Sequence, residues 1–172
     1  MSTRDGYEDI YAEAQGLALE IALTPAAKGL DKAIGEIIVS SILMANDVAG
    51  PLQGMVSVLV DDDARVRALN SQWRGIDKPT NVLSFPFPET KAGPDRLLGD
   101  IAISYETAAR EAVAEHKTFR HHVAHLSVHG FLHLLGYDHE SDDDADEMER
   151  LERTILARVD VPDPYVAREA EG

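Results

Sequence analysis

At 172 residues and 44% hydrophobic content, the chain is long enough for one compact domain with a real core and too short to make two domains expected. It contains no cysteine, which excludes a disulfide framework and agrees with a reducing compartment. The formal net charge of -15 argues against broad electrostatic capture of nucleic acid, so any nucleic-acid site must be local.

The N-terminal segment and the distribution of apolar residues predict neither export nor membrane insertion. Residues 1–10 carry Asp5, Glu8 and Asp9 instead of a basic stretch followed by an apolar core. No apolar run approaches the roughly 20 residues of a membrane-spanning helix. We therefore expect a cytoplasmic protein with no membrane partner.

The first third of the chain predicts one strand and one helix. Residues 1–29 are poorly determined, because Asp9–Ala14 and Leu17–Leu23 both have strand character and only one strand is needed. Thr24-Pro25 indicates a break in regular structure. The spacing of apolar residues then predicts a helix over Leu30–Val48.

The middle of the chain predicts a strand, a short helix and a second strand. Met55–Val60 is rich in β-branched residues, and apolar residues recur at helical spacing from Val66 to Trp73, just before Gly75. A further strand is expected over Asn81–Phe87, where prolines stop it. This order predicts a βαβ unit with parallel strands and a right-handed crossover.

Basic residues concentrate in the same region of an otherwise acidic chain. The stretch contains Arg65, Arg67, Arg74 and Lys78. Because phosphate binding is driven by clustered Lys and Arg, this stretch is the candidate local nucleic-acid site.

The next segment predicts a mobile loop over Glu89–Leu98, a third strand over Asp100–Ser104 and a helix over Glu106–His116. A longer helix is expected from Thr118, a candidate N-cap, to Leu135. One narrow stripe of that helix holds His122, His125, His129 and His133. Apolar residues cover most of the remaining surface, which predicts a buried central helix.

These elements predict a single α/β (α+β) domain over residues 1–172. Its small, mixed and mostly parallel sheet should pack against helices, with residues 160–172 as a C-terminal tail.

The acidic run Glu140–Glu152 has a structural explanation. Ser141 is suited to cap a helix, and the three aspartates that follow it suit the positive end of the helix dipole. An apolar stripe that includes Met148 and Ile155 lies beneath this acidic face. We interpret the acids as capping and solubility residues and not as metal ligands.

The run from His129 to His139 predicts a metal site. His129 and His133 stand one helical turn apart on the same face, and Gly136 allows a left-handed turn that brings His139 back toward them. Three neutral imidazoles without cysteine favour Zn²⁺ with one coordination position open, although other divalent ions also bind imidazole. We expect one zinc ion on the central helix. His125 is either a residue that faces the site or a partly exposed helix histidine.

The spacing of the three histidines is also that of one class of zinc peptidases. Those enzymes place a glutamate general base directly after the first histidine, whereas this chain has Gly130 there. Without that glutamate the usual proton shuttle is missing, so peptide hydrolysis is disfavoured.

A wider set of motifs resembles one family. It comprises His129-Gly-x-Leu132-His133-Leu-Leu-Gly136-Tyr-Asp138-His139 with Met148, Leu69-Asn70, Trp73-Arg74-Gly75, Asp77-Lys78-Pro79-Thr80-Asn81-Val82-Leu83-Ser84-Phe85-Pro86, Leu98-Gly99-Asp100 and Asp163-Pro164-Tyr165. Over Met55–Arg168 the combination resembles the YbeY family of bacterial endoribonucleases. The N-terminal third is divergent and adds little.

The resemblance implies an α/β metallohydrolase domain with a mixed sheet. Its implied activity is zinc-dependent, single-strand-specific endoribonuclease cleavage in ribosomal RNA processing, notably at the small-subunit 3′ end, and in ribosome quality control. The resemblance implies that His129, His133 and His139 ligate the zinc ion and that Arg74 has a functional role. The implied partners are single-stranded ribosomal RNA, the ribosome and its associated proteins, with no DNA expected.

The chemistry of phosphodiester cleavage is compatible with these residues. Negative charge builds on the nonbridging phosphate oxygens, where a metal ion and the planar guanidinium of Arg74 form a suitable clamp. Water and the 2′-hydroxyl of the RNA both remain open as the nucleophile. Asp138 either orients a ligand histidine or stabilises the turn, and Thr80 and Ser84 serve either RNA contact or the local fold. The alternative functions are a noncatalytic ribosome-assembly factor with a structural zinc and a metallopeptidase.

Overall fold

The computed structural model describes residues 6–88 and 95–166. Its strands are β1 (Glu8–Ala14), β2 (Leu17–Leu23), β3 (Gly54–Asp61), β4 (Val82–Pro86) and β5 (Leu97–Ser104). Its helices are α1 (Pro25–Leu30), α2 (Ile34–Ala49), α3 (Asp63–Arg74), α4 (Tyr105–Ala114), α5 (Phe119–Leu134) and α6 (Asp142–Arg158). The strands form one five-stranded sheet, which confirms the predicted α+β class with a mixed sheet.

The poorly determined N-terminal region contains two strands, so the prediction that only one is needed was wrong. β1 and β2 pair along their whole lengths as an antiparallel hairpin, from Glu8 opposite Leu23 to Ala14 opposite Leu17. The turn between them places Gly16 at φ 85°. β2 pairs with β3 on one side, and β1 covers the edge that β2 would otherwise expose on the other.

The predicted helix over Leu30–Val48 is confirmed as α2, which begins later, at Ile34, and is preceded by a short helix, α1, that was not predicted. The predicted break at Thr24-Pro25 lies between β2 and α1, and the Thr24 side chain caps α1 by accepting from Ala27 N at 3.3 Å. Proline is favoured in the first turn of a helix, where its missing N–H is not needed. Asp31 then separates α1 from α2, and its carboxylate accepts a hydrogen bond from Ala33 N at 2.8 Å.

The sheet order is β1-β2-β3-β5-β4, with β2, β3 and β5 parallel and both outer strands antiparallel to their neighbours. The predicted β3–α3–β4 parallel unit was therefore wrong, since β4 pairs with β5 and runs antiparallel to it. Pro86 at the end of β4 lacks a backbone N–H and suits an edge position. The largely buried β5 instead takes the interior place beside β3.

The segment between β4 and β5 is described only in part. Of the mobile loop predicted over Glu89–Leu98, residues 89–94 lie outside the described residues, whereas Leu97 and Leu98 belong to β5. The third predicted strand is confirmed and begins earlier than Asp100. The predicted tail is also partly docked, because Val161 is buried in the main core.

The sheet separates two apolar clusters. The larger joins β2, β3 and β5 to α2, α5 and α6, with Phe131 among its fully buried side chains. The smaller lies under α3 and contains Val66, Leu83 and Ala102. Because α5 packs against α2, α4, α6 and the sheet, it is the buried central helix that the sequence predicted.

None of the helices within the described residues is long and apolar enough to cross a membrane.

Candidate metal centre

Helix α5 presents two of the three predicted ligands from its last turns. Thr118 caps the helix as predicted, because its side chain accepts from His121 N at 3.1 Å. The helix ends after His133, and Gly136 adopts φ 100°, in the left-handed region where glycine carries no Cβ penalty. Tyr137 N then donates to Leu132 O at 3.1 Å, which closes the turn and returns the chain toward α5.

The turn brings His129, His133 and His139 together as predicted. Ring centroids are 4.6 Å apart for His129 and His133, 5.6 Å for His129 and His139, and 5.4 Å for His133 and His139. One nitrogen from each ring lies within 4.8 Å of the others. His139 is exposed and the other two are half-buried, so the cluster opens toward solvent.

The donor set fits a divalent metal ion. The Nε2 atoms of His129 and His133 are 3.1 Å apart. Two nitrogens held about 2.0 to 2.1 Å from a tetrahedral ion lie about 3.3 Å from each other, so this spacing needs little adjustment to accept one ion. Nitrogen donors without thiolate suit zinc and other first-row divalent ions.

The surroundings favour the neutral, metal-binding form of His133. Burial lowers the pKa of His133, and the neighbouring His129 and His139 lower it further. The positive charge of Arg74 contributes in the same direction. A lowered pKa keeps the imidazole unprotonated at neutral pH, which is the state that ligates metals.

Arg74 lies at the end of α3, close enough for its charge to influence His133. Its Nη2 donates to the Ser84 carbonyl oxygen, and its guanidinium carbon lies 5.4 Å from the centroid of the Phe85 ring. Gly75 ends the helix at φ 70°, as the sequence predicted. The exposed guanidinium is thus supported by β4 at the side of the histidine cluster.

Gly130, which follows the first ligand, faces the sheet. A Cβ added there would lie 3.1 Å from Ile101 Cγ2 and 3.2 Å from both Ser84 Oγ and Val82 Cγ2. Ser84 Oγ also donates to the Gly130 carbonyl oxygen at 2.9 Å. Glycine therefore allows α5 to approach β4 and β5 closely, and the position has no room for the glutamate of a peptidase. Ser84 is buried and serves this packing.

Glu152 lies beside the first histidine of the cluster, a position that the sequence did not predict. We interpreted the acidic run as capping and solubility, which holds for Ser141 because its side chain accepts from Asp144 N at 3.1 Å. Glu152 is different, since it is only 1% exposed and its Oε1 lies 3.4 Å from His129 Nδ1. The burial of Glu152 could have been expected from its position one turn after Met148, on the apolar stripe of α6.

Two further predicted residues have local structural roles. Asp138 Oδ1 accepts from Glu140 N at 3.2 Å, so Asp138 stabilises the turn between α5 and α6. In the basic stretch, Arg67 is paired with Asp77 through Nε–Oδ1 and Nη2–Oδ2 contacts of 2.7 and 3.2 Å. That pairing reduces the positive charge that the stretch can offer to phosphate.

A cavity of about 880 Å³ lies on the sheet face that α3 partly covers. Its lining includes Tyr11, Trp73, Phe85 and Asp100 but, among the residues the structure describes, none of the three histidines. The chemistry of the histidine cluster identifies the functional site better than cavity size does. Phe85 is shared by the cavity and the Arg74 contact.

The fold and the cluster together define an α+β protein with a candidate three-histidine metal centre at the end of a buried helix and the turn that follows it. The chain belongs to the Endoribonuclease YbeY family, whose sequence model matches residues 20–160. The match begins earlier than the resemblance over Met55–Arg168 suggested, and it includes Arg74 and all three histidines.

Curated relatives carry the same family name. An Endoribonuclease YbeY from Nitrobacter hamburgensis is 60% identical over 119 residues, which cover 66% of this chain and 63% of that protein. One from Nitrobacter winogradskyi is 51% identical over 149 residues, which cover 84% of this chain and 77% of that protein. The chain thus spans somewhat less than two thirds of the first relative's length and more of the second.

A solved structure has the same fold. The solution structure of TM1509 from Thermotoga maritima matches with a TM-score of 0.53 and 25% sequence identity, covering 81% of this chain and 90% of that one. The match supports the α+β fold described above.

Proposed function

We propose that this chain is a metal-dependent endoribonuclease that cleaves single-stranded RNA. The observation that carries the proposal is the convergence of His129, His133 and His139. Arg74 lies close enough to this cluster for its charge to lower the pKa of His133. Membership of the Endoribonuclease YbeY family and relatives named as endoribonucleases support the same activity.

The residues have distinct proposed roles. The three histidines would hold one ion, for which we propose Zn²⁺, and a bound divalent ion supplies Lewis acidity toward a phosphate oxygen. Arg74 binds the scissile phosphate and stabilises the negative charge that develops on it, since a guanidinium stays protonated and matches phosphate geometry. Its bond to Ser84 and its contact with Phe85 hold the guanidinium in place for that role.

The proposed biological substrate is single-stranded ribosomal RNA, with processing at the small-subunit 3′ end and ribosome quality control as the setting. The chain is strongly acidic, so the ribosome and its proteins are proposed to supply contacts that the short basic stretch does not. A cytoplasmic location belongs to this proposal, and DNA is not expected as a substrate.

Two alternatives are weaker. A peptidase needs a general base after the first histidine, and Gly130 packs against Ile101 and Ser84 with no space for one. A purely structural zinc normally has a closed shell of four protein ligands, whereas His139 is exposed and three histidines leave one position open.

The deciding experiment measures cleavage of an end-labelled, single-stranded ribosomal RNA 3′ segment by purified protein. His133→Ala, purified in parallel, controls for contaminating nucleases. We expect the wild type alone to cleave, while His133→Ala keeps the wild-type circular dichroism spectrum. A casein digestion assay on the same preparations tests the peptidase alternative and should show no activity.

The other outcomes are equally informative. Equal cleavage by both proteins identifies a contaminant and removes the support for a nuclease. No cleavage by either, together with a large loss of thermal stability in His133→Ala, favours an assembly factor with a structural ion. If the wild type alone cleaves, mapping the ends of its products separates the two candidate nucleophiles, since attack by the 2′-hydroxyl leaves a cyclic phosphate.

A further inference from the structure

A buried carboxylate lies directly behind the first histidine of the cluster. Glu152 projects from α6 into the main core, where its side chain is 1% exposed. Isolating a carboxylate from water is costly unless it is paired, and its neighbours on the α6 stripe, Met148 and Ile155, are apolar. The charge at this core position therefore calls for an explanation beyond packing.

Three polar side chains from other parts of the chain surround the carboxylate. His129 Nδ1 lies 3.4 Å and Tyr165 Oη 3.0 Å from Glu152 Oε1. His125 Nε2 contacts Glu152 Oε2, and the same nitrogen is 3.1 Å from Tyr165 Oη. His125 is on α5, one turn before His129, and Tyr165 follows α6. Two helices and the C-terminal segment thus converge on one carboxylate.

The carboxylate faces one ring nitrogen of each of two histidines, Nε2 of His125 and Nδ1 of His129. An ionised carboxylate only accepts hydrogen bonds, so it fixes a proton on the imidazole nitrogen that faces it.

The two nitrogens of His129 face opposite groups. Nδ1 faces Glu152, whereas Nε2 faces the cluster, 3.1 Å from His133 Nε2. A neutral imidazole has one protonated and one unprotonated nitrogen. A proton held on Nδ1 leaves the Nε2 lone pair directed at the position where an ion would be bound.

We propose that Glu152 is a positioning residue that orients His129 and fixes its Nδ1–H tautomer, with His125 and Tyr165 holding the carboxylate in place. This inference rests on the metal centre of the proposed function. It extends that site to residues outside the three ligands and gives the buried charge on α6 a role in metal affinity.

A second ion is a competing interpretation of the same side chains. His125, His129 and Glu152 also bring one ligand atom each within 4.8 Å of one another. Two ions would have to share His129 through both of its nitrogens, which requires complete deprotonation of the ring. A single ion with a supporting carboxylate needs no such step, so we expect one ion per chain.

The test compares Zn²⁺ and Co²⁺ affinity, measured by competition with a chromophoric chelator, for the wild type, Glu152→Gln and Glu147→Gln. The matched control makes the same chemical change at an exposed position of the same helix. Loss of a carboxylate behind a ligand histidine typically weakens metal binding about 10- to 100-fold. We expect that loss for Glu152→Gln and no more than about a twofold change for Glu147→Gln, with one ion bound per wild-type chain.

A second readout needs no substitution at all. Long-range ¹H–¹⁵N correlation spectra of the metal-free wild type report which His129 nitrogen carries the proton, and we expect Nδ1. A proton on Nε2 would overturn the inference, even if Glu152→Gln failed to fold. A merely structural role for Glu152 would change stability and leave both the tautomer and the metal affinity of the folded variant unaltered.

The remaining outcomes separate this inference from the proposed function. If the wild type binds neither ion, the metal centre itself is wrong. If the wild type binds one ion and Glu152→Gln binds it equally tightly, only the positioning role fails. Two ions per wild-type chain, with one lost in Glu152→Gln, would replace the positioning role by a second metal site.

Discussion

Replacing Gly99 by alanine should strongly destabilise the fold next to the metal centre. Gly99 in β5 has φ 155°, which side chains of L residues rarely allow. An added Cβ would lie 2.5 Å from the carbonyl oxygen of Phe85 and 2.7 Å from Leu134 Cδ2. The first of these atoms belongs to the backbone of β4 and cannot move without disturbing the strand pairing.

The expected magnitude combines two effects. An unfavourable backbone conformation costs about 1 to 3 kcal/mol, and overpacking of a close contact costs about 1 to 3 kcal/mol. Their sum centres on about 4 kcal/mol, a large part of the roughly 5 to 15 kcal/mol that stabilises a typical domain. At about 2 to 4 °C per kcal/mol for a chain of this size, Tm should fall by about 8 to 16 °C.

Two glycines provide matched controls for the Gly99→Ala variant. Gly75 has φ 70° but nothing within 4 Å of an added Cβ, so Gly75→Ala should cost only the conformational penalty of about 1 to 2 kcal/mol. Gly29 in α1 has neither constraint, and Gly29→Ala should be neutral or slightly stabilising.

Urea and thermal unfolding followed by far-ultraviolet circular dichroism measure these differences. Tryptophan fluorescence is a poor probe, because Trp73 is 65% exposed in the folded state. Leu134 directly follows His133, so Gly99→Ala should also weaken metal binding. The reasoning is refuted if Gly99→Ala costs no more free energy of unfolding than Gly75→Ala.

Three further predictions concern charge and packing. Burial raises the pKa of Asp63, but hydrogen bonds from Ser104, Thr107 and Arg110 outweigh it and lower the pKa to about 2. The difference in free energy of unfolding between the wild type and Asp63→Asn, measured by urea unfolding, should therefore be largest above about pH 5 and should shrink as pH falls through about 4 toward 2. A difference that widens on acidification would contradict this prediction. Ser84→Ala should lower the free energy of unfolding by about 1 kcal/mol, because the buried hydrogen bond to Gly130 is lost. RNA cleavage should persist, since Arg74 bonds to the backbone oxygen of Ser84 and not to its side chain. Loss of cleavage in a folded variant would give the hydroxyl a direct role. Binding of naked single-stranded RNA should be weak, with a slope of log K against log salt near -2. Besides Arg67, which pairs with Asp77, the basic stretch has three exposed cations, Arg65, Arg74 and Lys78, and each contributes about -0.7. A slope steeper than about -4 in filter-binding titrations would reveal a larger RNA-binding surface than the basic stretch provides.

The sequence alone determined the elements whose signals are local. Capping predicted Thr118 at the start of α5, and glycine conformation predicted the turns at Gly75 and Gly136 that follow α3 and α5. Helical periodicity predicted the apolar stripe of α6. Each of these signals lies within a few residues. The three-histidine cluster was predictable for the same reason, because its ligands lie within one helix and one turn.

Only the tertiary structure decided which strands pair and which polar residues are buried. Strand character does not specify a partner, so the hairpin of β1 and β2 and the antiparallel edge strand β4 depended on competition among strands distant in sequence. Glu152 is acidic within an acidic run, and its isolation from water arises only when α6 packs on α5 and brings it to His129. Helical spacing placed Glu152 on the apolar stripe of α6, but burial is a property of the assembled core, and only the packing of α6 on α5 decided it.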